Sequence, residues 1–265
     1  VYGSIQRLLN RETRLVMFCE DKVLRAVTNK DALYNADGNP QLVSSNAVVG
    51  DVTPYAGRYG IGRNPESLAV TPSSSYFTDV IRGKVLALSN SGDGVREISA
   101  VGMKDYFADY MAEYVGTARG SYDSRKKEYN ITINKKYENY QAQPHEQTTV
   151  SYSEYSKGWI SFKSYYPDTG VSLNNKYYTF KNGLIWEHHY EQDAGTGNSQ
   201  NQFYGTQYKS DVTAVFNEMS ESVKGFSTIK YEGSKSAVPV FQSLNNQNYF
   251  NGDYSANNGL VDTDN

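Results

Sequence analysis

Cysteine, histidine and long apolar runs are scarce in this sequence, and their scarcity excludes several classes of protein. Cys19 is the single cysteine among 265 residues, so a disulfide-stapled secreted scaffold is excluded. It lies in an apolar run, which favours a small buried side chain over a catalytic thiol. No stretch approaches the roughly 18 consecutive apolar residues of a transmembrane helix. We therefore predict no membrane insertion by this segment.

Catalytic and metal-binding patterns are also missing. The chain has only 3 histidines, at positions 145, 188 and 189. Neighbouring residues on a strand point to opposite faces, so His188 and His189 would not readily share a metal ion and are better explained as a half-exposed strand end. No Walker loop, His-Glu-x-x-His helix or Gly-x-Ser-x-Gly elbow occurs. We predict no catalytic, cofactor-binding or metal-binding residues and no enzymatic activity.

Two segments resemble ligand sites but are better explained as structural features. Residues 57–65 are glycine-rich, but no helix with Lys-Ser/Thr follows, which favours a compact turn before a strand at residues 68–70. Residues 125–136 are rich in Lys and Arg, but nearby carboxylates dilute the charge, which favours a solvated hairpin edge. At a net charge of -3, the chain lacks the basic stripe of a duplex-binding protein.

Tyrosine is what the sequence has in abundance. There are 24 Tyr against 10 Phe and 2 Trp, although only 38% of residues are hydrophobic and mean hydropathy is -0.66. Tyrosine buries a ring while its hydroxyl stays available to water or a partner. This composition suits thin sheets with one wet face or a subunit interface, although Tyr is also simply a good strand former.

Three short hairpins recur along the chain, each with a tight polar turn between apolar runs. The turns fall at Asp21 and Lys22, at Arg82 and Gly83, and at residues 182–183. The last pair, Asn-Gly, is the strongest signal, because both central residues of a type I′ turn need positive φ. Recurring hairpins predict a mainly β fold of antiparallel sheets, either an incomplete propeller-like array or a sandwich.

One amphipathic helix is predicted near residues 103–115. Its apolar residues recur at helical spacing; they are Met103, Tyr106, Phe107, Tyr110, Met111, Tyr114 and Val115. We expect this stripe to pack on a sheet, with docking on a neighbouring subunit as the alternative.

The predicted elements divide the chain into four regions. These are a propeller-like hairpin region at 1–101, the helix and a connector at 102–120, a second β-rich region at 121–240, and an Asn/Gly-rich tail at 241–265 that we expect to continue in a longer chain. Alternating residues predict later strands at 129–133, 149–155, 159–162, 212–216 and 226–231. Loops are predicted at 35–62 and 193–202.

Several segments, taken in order, resemble one family of viral proteins. They are residues 2–8, 15–23, 60–69, 76–79 with 82–86, 98–107, 159–162, 203–208 and 226–234. Together they resemble the phage stabilisation, or tail muzzle (nozzle), proteins of crAss-like and related tailed bacteriophages.

The resemblance implies a virion structural protein, a ring subunit around the DNA exit channel of the tail. Its implied partners are other copies of itself, neighbouring tail proteins, and viral DNA that passes without specific binding. It also implies synthesis in the bacterial host cytoplasm and a place in the virion, and it carries over no catalytic residue.

Two other functions remain open from the residues. One is a glycan-binding adhesin module or a baseplate component, and a glycan binder would present clustered exposed aromatic residues in one groove. A glycan-cleaving enzyme would bring two carboxylates together, and Glu187, Glu191 and Asp193 cannot be placed in space from sequence alone. A ring subunit would bury its aromatic residues and helix stripe between copies.

Overall fold

A computed structural model describes most of the chain. The described residues are 2–11, 14–28, 33–34, 40–41, 49–90, 94–112, 117–135, 146–190, 201–211, 221–223, 225, 235–237 and 260–262. The chain forms two compact units, Val1–Ser210 and Asp211–Asn265. Predicted strands at 212–216 and 226–231 and most of the predicted loop at 193–202 lie outside the described residues.

The described residues are mainly β, as predicted. The strands are β1 (Ile5–Arg11), β2 (Arg14–Cys19), β3 (Val23–Val27), β4 (Leu33–Tyr34), β5 (Pro40–Gln41), β6 (Val52–Pro54), β7 (Ala69–Val70), β8 (Ser74–Asp79), β9 (Lys84–Ser89), β10 (Val95–Glu97), β11 (Arg119–Asp123), β12 (Glu128–Lys135), β13 (Glu146–Ser153), β14 (Gly158–Lys163), β15 (Thr169–Leu173), β16 (Lys176–Lys181), β17 (Leu184–Glu187), β18 (Gln202–Phe203), β19 (Thr206–Gln207), β20 (Lys235–Ala237) and β21 (Leu260–Asp262). One α-helix, α1 (Lys104–Ala112), and a 3-10 turn (Pro65–Ser67) complete the described elements.

The described residues of the first unit form four antiparallel sheets of three or four strands, which follow one another along the chain. The first sheet has the order β1-β2-β3-β6, the second β10-β9-β8-β7, the third β11-β12-β13-β14 and the fourth β15-β16-β17. The pairs β4–β5 and β18–β19 also lie in the first unit, and β20–β21 pair in the second. Four-stranded sheets built from consecutive hairpins are the repeating unit of propeller folds.

The three predicted hairpins are confirmed as β2–β3, β8–β9 and β16–β17. At the β16–β17 turn, Asn182 has φ 52° and Gly183 has φ 76°, as a type I′ turn requires. The predicted loop at 35–62 is partly wrong, because β6 pairs with β3 and β5 pairs with β4. These strands are only two or three residues long. They are too short to show an alternating pattern in the sequence, and they are defined by their pairing with a neighbouring strand.

The second sheet is buried on both faces. Tyr76 and Val85 join an apolar cluster shared with helix α1 and the third sheet, whereas Phe77 and Leu86 join a cluster shared with the first sheet. Phe18 of β2 packs edge-on against Phe77, with ring centroids 5.1 Å apart. The first sheet therefore packs on one face of the second sheet, and the third sheet and α1 pack on the other.

Helix α1 packs on the sheets of its own chain, as expected. Phe107, Tyr110 and Met111 are buried in the cluster that also holds residues of β12 and β13. The ring of Phe107 lies 4.6 Å from that of Trp159 on β14. The described part of the stripe is thus covered within the subunit, and docking of this stripe on a neighbouring subunit is not supported.

The third sheet has one apolar face and one polar face, and both are buried. Ile131 and Val150 face the helix side. On the other face, Thr132 and Thr149 pair across the strands with their Oγ1 atoms 2.8 Å apart, and Ser151 donates a hydrogen bond to Asn130. Buried hydroxyls and amides need hydrogen-bond partners. On this face, part of that need is met within the third sheet and part by the fourth sheet.

Candidate assembly surface

A buried polar layer joins the third and fourth sheets. The Tyr177 hydroxyl on β16 lies 2.7 Å from Oγ of Ser121 and accepts a hydrogen bond of 3.4 Å from Nδ2 of Asn130. Gly170 on β15 lies beneath this hydroxyl, because a Cβ there would lie 2.8 Å from it. The glycine lets the two sheets approach closely enough for the layer to form.

A histidine–carboxylate hydrogen bond and an ion pair lie beside this polar layer. His189 Nε2 hydrogen-bonds Oδ2 of Asp123 at 2.6 Å, and Lys163 Nζ lies 3.1 Å from Oε2 of Glu128. Burial alone would raise the pKa of Asp123, but hydrogen bonds from His189 and from backbone N–H groups of the following turn hold that pKa below its ordinary value. The His189–Asp123 bond joins the third sheet to the segment that follows β17, whereas Lys163 and Glu128 both belong to the third sheet.

The prediction that the histidine pair forms a half-exposed strand end is wrong for His188. His188 is only 7% exposed and is surrounded by the rings of Tyr165, Tyr177 and Phe203. Its Nε2 lies 2.7 Å from Oγ1 of Thr179, and burial lowers the pKa of the imidazole to about 4.

The backbone explains why the strand argument failed for the histidine pair. Strand β17 ends before the pair, and His189 adopts a φ of 60°. Strand alternation therefore does not apply there, and the two rings lie 6.2 Å apart. Within the described residues, no three His, Cys, Asp or Glu side chains form a potential metal site; the absence of site residues stays a prediction.

Other segments singled out in the sequence have structural roles. Cys19 is buried, which raises the pKa of its thiol. In the turn at residues 57–65, the N–H groups of Ile61 and Gly62 donate to the carbonyls of Cys19 and Glu20, and the N–H of Gly60 donates to Asp79. Because these donors already have partners, the segment is a compact turn and does not present them to a phosphate.

The basic segment and the candidate catalytic carboxylates lie in different parts of the chain. Residues 125–127 form the exposed turn between β11 and β12, but the predicted solvated edge at 125–136 is wrong for residues 128–133, which are buried in β12, an interior strand of the third sheet. Glu187 pairs with Lys176 at 2.8 Å. His145, Glu191 and Asp193 lie outside the described residues. Of the three carboxylates considered for a glycosidase pair, only Glu187 is therefore described, and it is paired with a lysine.

The outer face of the fourth sheet is apolar and exposed. Val171 and Leu173 on β15 are 47% and 67% exposed, and Ile185 on β17 is 66% exposed. The strand register places Tyr178 opposite Val171, and Phe180 between Thr169 and Ile185, so all these rings and branched chains share one face. The same face also carries the Lys176–Glu187 ion pair, because Lys176 lies opposite Leu173 and Glu187 lies opposite Tyr178. A group of exposed apolar side chains on one sheet face is typical of an interaction surface.

Sequence reasoning did not find this surface. The signal was present in β15, where Val171 and Leu173 alternate with Gly170 and Ser172. Alternation shows that one face is apolar, but it does not show whether that face meets another part of the chain or solvent.

A second exposed apolar strip lies on β14, the edge strand of the third sheet. Ile160 and Phe162 on this strand are 47% and 59% exposed. Phe162 packs edge-on against Tyr106 of helix α1. Edge strands with apolar side chains invite pairing with another chain.

Exposed apolar side chains on sheet faces are typical of proteins that assemble with partners. A family model described as the Crassvirus muzzle protein matches residues 1–183, and one described as the Crassvirus muzzle protein C-terminal domain matches residues 198–261. This chain therefore belongs to the crassvirus muzzle protein family, and it is a phage structural protein. A search of the curated proteins found no match.

Membership in this family makes the chain a component of the virion. The described part of the chain contains no helix with both the length and the apolar character needed to cross a bilayer.

Proposed function

We propose that this protein is a ring subunit around the DNA exit channel of the phage tail and has no catalytic activity. It assembles with copies of itself and with neighbouring tail proteins, after synthesis in the cytoplasm of the bacterial host. The observation that carries the proposal is the exposed apolar outer face of the fourth sheet, in a chain that belongs to a muzzle protein family.

The free energy of exposing apolar surface to water favours assembly through this face. Removing such a face from water is favourable by about 25 cal/mol for each Å² buried. A closed ring needs two different complementary patches on each subunit, because its contacts run head to tail. The fourth sheet supplies one patch, and the strip of Ile160 and Phe162 is our candidate for the other.

The charge balance suits a channel through which DNA passes without being held. The net charge is -3, and positive and negative residues are interspersed along the chain. A mildly acidic wall repels phosphate and does not release counterions to gain affinity.

The assembly proposal is tested by charging the outer face of the fourth sheet. We expect Leu173→Glu with Ile185→Glu to abolish self-assembly, because two buried carboxylates at an apolar contact lack partners. The control is Ile81→Glu, which charges a 70% exposed isoleucine in the β8–β9 turn. Sedimentation velocity and electron microscopy measure the assembly, and circular dichroism checks the fold.

Loss of rings in the double variant, with rings intact in the control, supports the proposal. Rings that persist in a folded double variant, or full-length protein that stays monomeric at every concentration, would show that this face does not carry assembly.

A further inference from the structure

A cleft of about 440 Å³ opens where the turns of the second and third sheets meet. Its wall includes Arg96 from β10, Lys127 from the β11–β12 turn, and Glu154, Tyr155 and Lys157 from the β13–β14 turn. Its volume lies within the range of about 300–1,000 Å³ typical of small-molecule sites. The cleft lies apart from the fourth sheet, so a ligand bound in it would be independent of the proposed ring contacts.

The single carboxylate of the cleft already has its hydrogen-bond donors. Glu154 accepts hydrogen bonds of 2.7 Å from the hydroxyl of Tyr76 and 2.6 Å from that of Tyr122. Ser73 and Thr71 donate weaker bonds to the same carboxylate. Burial and the adjacent carboxylate raise the pKa of the Tyr76 hydroxyl, so it remains a donor. Glu154 is therefore a fixed, satisfied group in the wall.

The carboxylate of the cleft has hydrogen-bond partners, whereas its three cationic side chains have no ion-pair partner among the described residues. Among the described residues, Arg96, Lys127 and Lys157 form no ion pair. Lys127 and Lys157 both have positive φ, 56° and 53°, at the tips of their hairpins. That conformation favours Gly or Asn, so each lysine occupies a turn position that is not sterically suited to it. Three cations against one carboxylate leave the cleft positively charged.

An exposed aromatic ring stands beside these cations. Tyr155 is 93% exposed at the tip of the β13–β14 hairpin. Its ring offers an apolar face and its hydroxyl a polar edge. A sugar ring has complementary features, since its C–H groups form an apolar face and its hydroxyls bind polar neighbours such as the hydroxyl of Ser73.

We infer that this cleft binds an acidic saccharide, a sugar whose carboxylate is held by Arg96 and Lys157 while its ring stacks on Tyr155. The guanidinium fork of arginine matches a carboxylate in two parallel hydrogen bonds. Nucleic acid fits less well, because backbone binding needs a row of cations spaced along a groove, whereas here three cations converge on one concave site.

The test uses the full chain and trigalacturonic acid as the probe, with uncharged maltotriose for comparison. We expect trigalacturonic acid to bind and maltotriose not to bind in calorimetry. Arg96→Gln with Lys157→Gln should weaken binding about tenfold, because exposed charge pairs each contribute up to about 1 kcal/mol. The matched control is Arg58→Gln with Lys104→Gln, which removes the same two charge types at exposed positions outside the cleft.

Binding that is lost in the cleft variant and kept in the control supports the inference, and so does a further loss on Tyr155→Ala. Failure of the folded wild-type chain to bind trigalacturonic acid overturns it. Equal binding of maltotriose, or equally tight binding of inorganic phosphate or a single-stranded oligonucleotide, also overturns it, since the cleft would then not select an acidic sugar.

Discussion

Tyr177 shows how one hydroxyl holds two sheets together. Its ring is fully buried, and its oxygen meets Ser121 and Asn130 of the third sheet. Tyr178, the next residue, lies half-buried on the opposite face of the same strand. Two adjacent tyrosines therefore have different roles, which residue type alone cannot distinguish.

This difference predicts the effect of removing each hydroxyl. Tyr177→Phe should lower the free energy of unfolding by about 1–3 kcal/mol, because it leaves buried polar groups without a partner. Tyr178→Phe, the control, should change it by less than about 0.5 kcal/mol. Urea unfolding measures both, and equal effects would contradict a buried polar layer between the third and fourth sheets.

Gly120 shows a limit of reasoning from single residues. It lies within β11, where a Cβ would lie 2.0 Å from the carbonyl oxygen of Ser67. A glycine inside a strand signals a close backbone approach, but the partner, more than fifty positions earlier in the chain, is known only from the fold.

At the scale of elements, turn residues and side-chain alternation predicted several strands and one turn correctly. The Asn182 and Gly183 turn, and strands β12 and β14, lie where the sequence predicts them. The predicted strand at 149–155 ends earlier, at Ser153, because the chain turns at Glu154 to form the wall of the cleft. The helix prediction also holds, with residues 113–116 outside the described part.

The polar face of the third sheet was not predictable from sequence. Asn130, Thr132 and Ser151 alternate with apolar residues, as on a sheet with one solvated face. They are nevertheless buried, and Asn130 donates a hydrogen bond to Tyr177 of the fourth sheet. Hydrophobic periodicity cannot distinguish water from a polar protein surface.

The end of the fourth sheet should make stability depend on pH. An unfolded histidine titrates near pH 6.5, and burial lowers the pKa of His188 to about 4. Between these values protons bind the unfolded chain preferentially, so the stabilisation is complete above pH 6.5 and is lost as pH falls toward 4.

We expect the free energy of unfolding to fall by about 2 kcal/mol from this group between about pH 7 and pH 5. His188→Gln should flatten the dependence in this window, since glutamine does not titrate. Urea unfolding at a series of pH values measures it; an unchanged slope in the variant would assign the dependence to other groups.

At the scale of the whole molecule, the sheets of the first unit pack face against face. The second sheet is apolar on both faces, and the third is apolar toward the second and polar toward the fourth. Among the described residues, the outer face of the fourth sheet keeps Val171, Leu173 and Ile185 exposed. The division into regions at 1–101, 102–120, 121–240 and 241–265 stays a prediction.

The apolar character of that face predicts how assembly responds to salt. Ion pairs at an interface weaken when the Debye length shrinks from about 10 Å at 0.1 M to about 3 Å at 1 M salt, whereas apolar burial does not. We expect self-assembly to persist between about 0.1 M and about 1 M NaCl, as followed by sedimentation velocity. Dissociation at high salt would indicate an ionic interface instead.

The sequence by itself determined the hairpins, the helix and the mainly β composition, because turn geometry and side-chain alternation are local properties. The resemblance to muzzle proteins came from an ordered set of sequence segments. The tertiary structure decided which faces are covered. In the folded chain His188 is buried and Ile185 is exposed. Glu154 accepts hydrogen bonds from tyrosine hydroxyls. Arg96, Lys127 and Lys157, from three separate segments, line one cleft. These properties depend on contacts between residues far apart in the chain, and no local pattern specifies them.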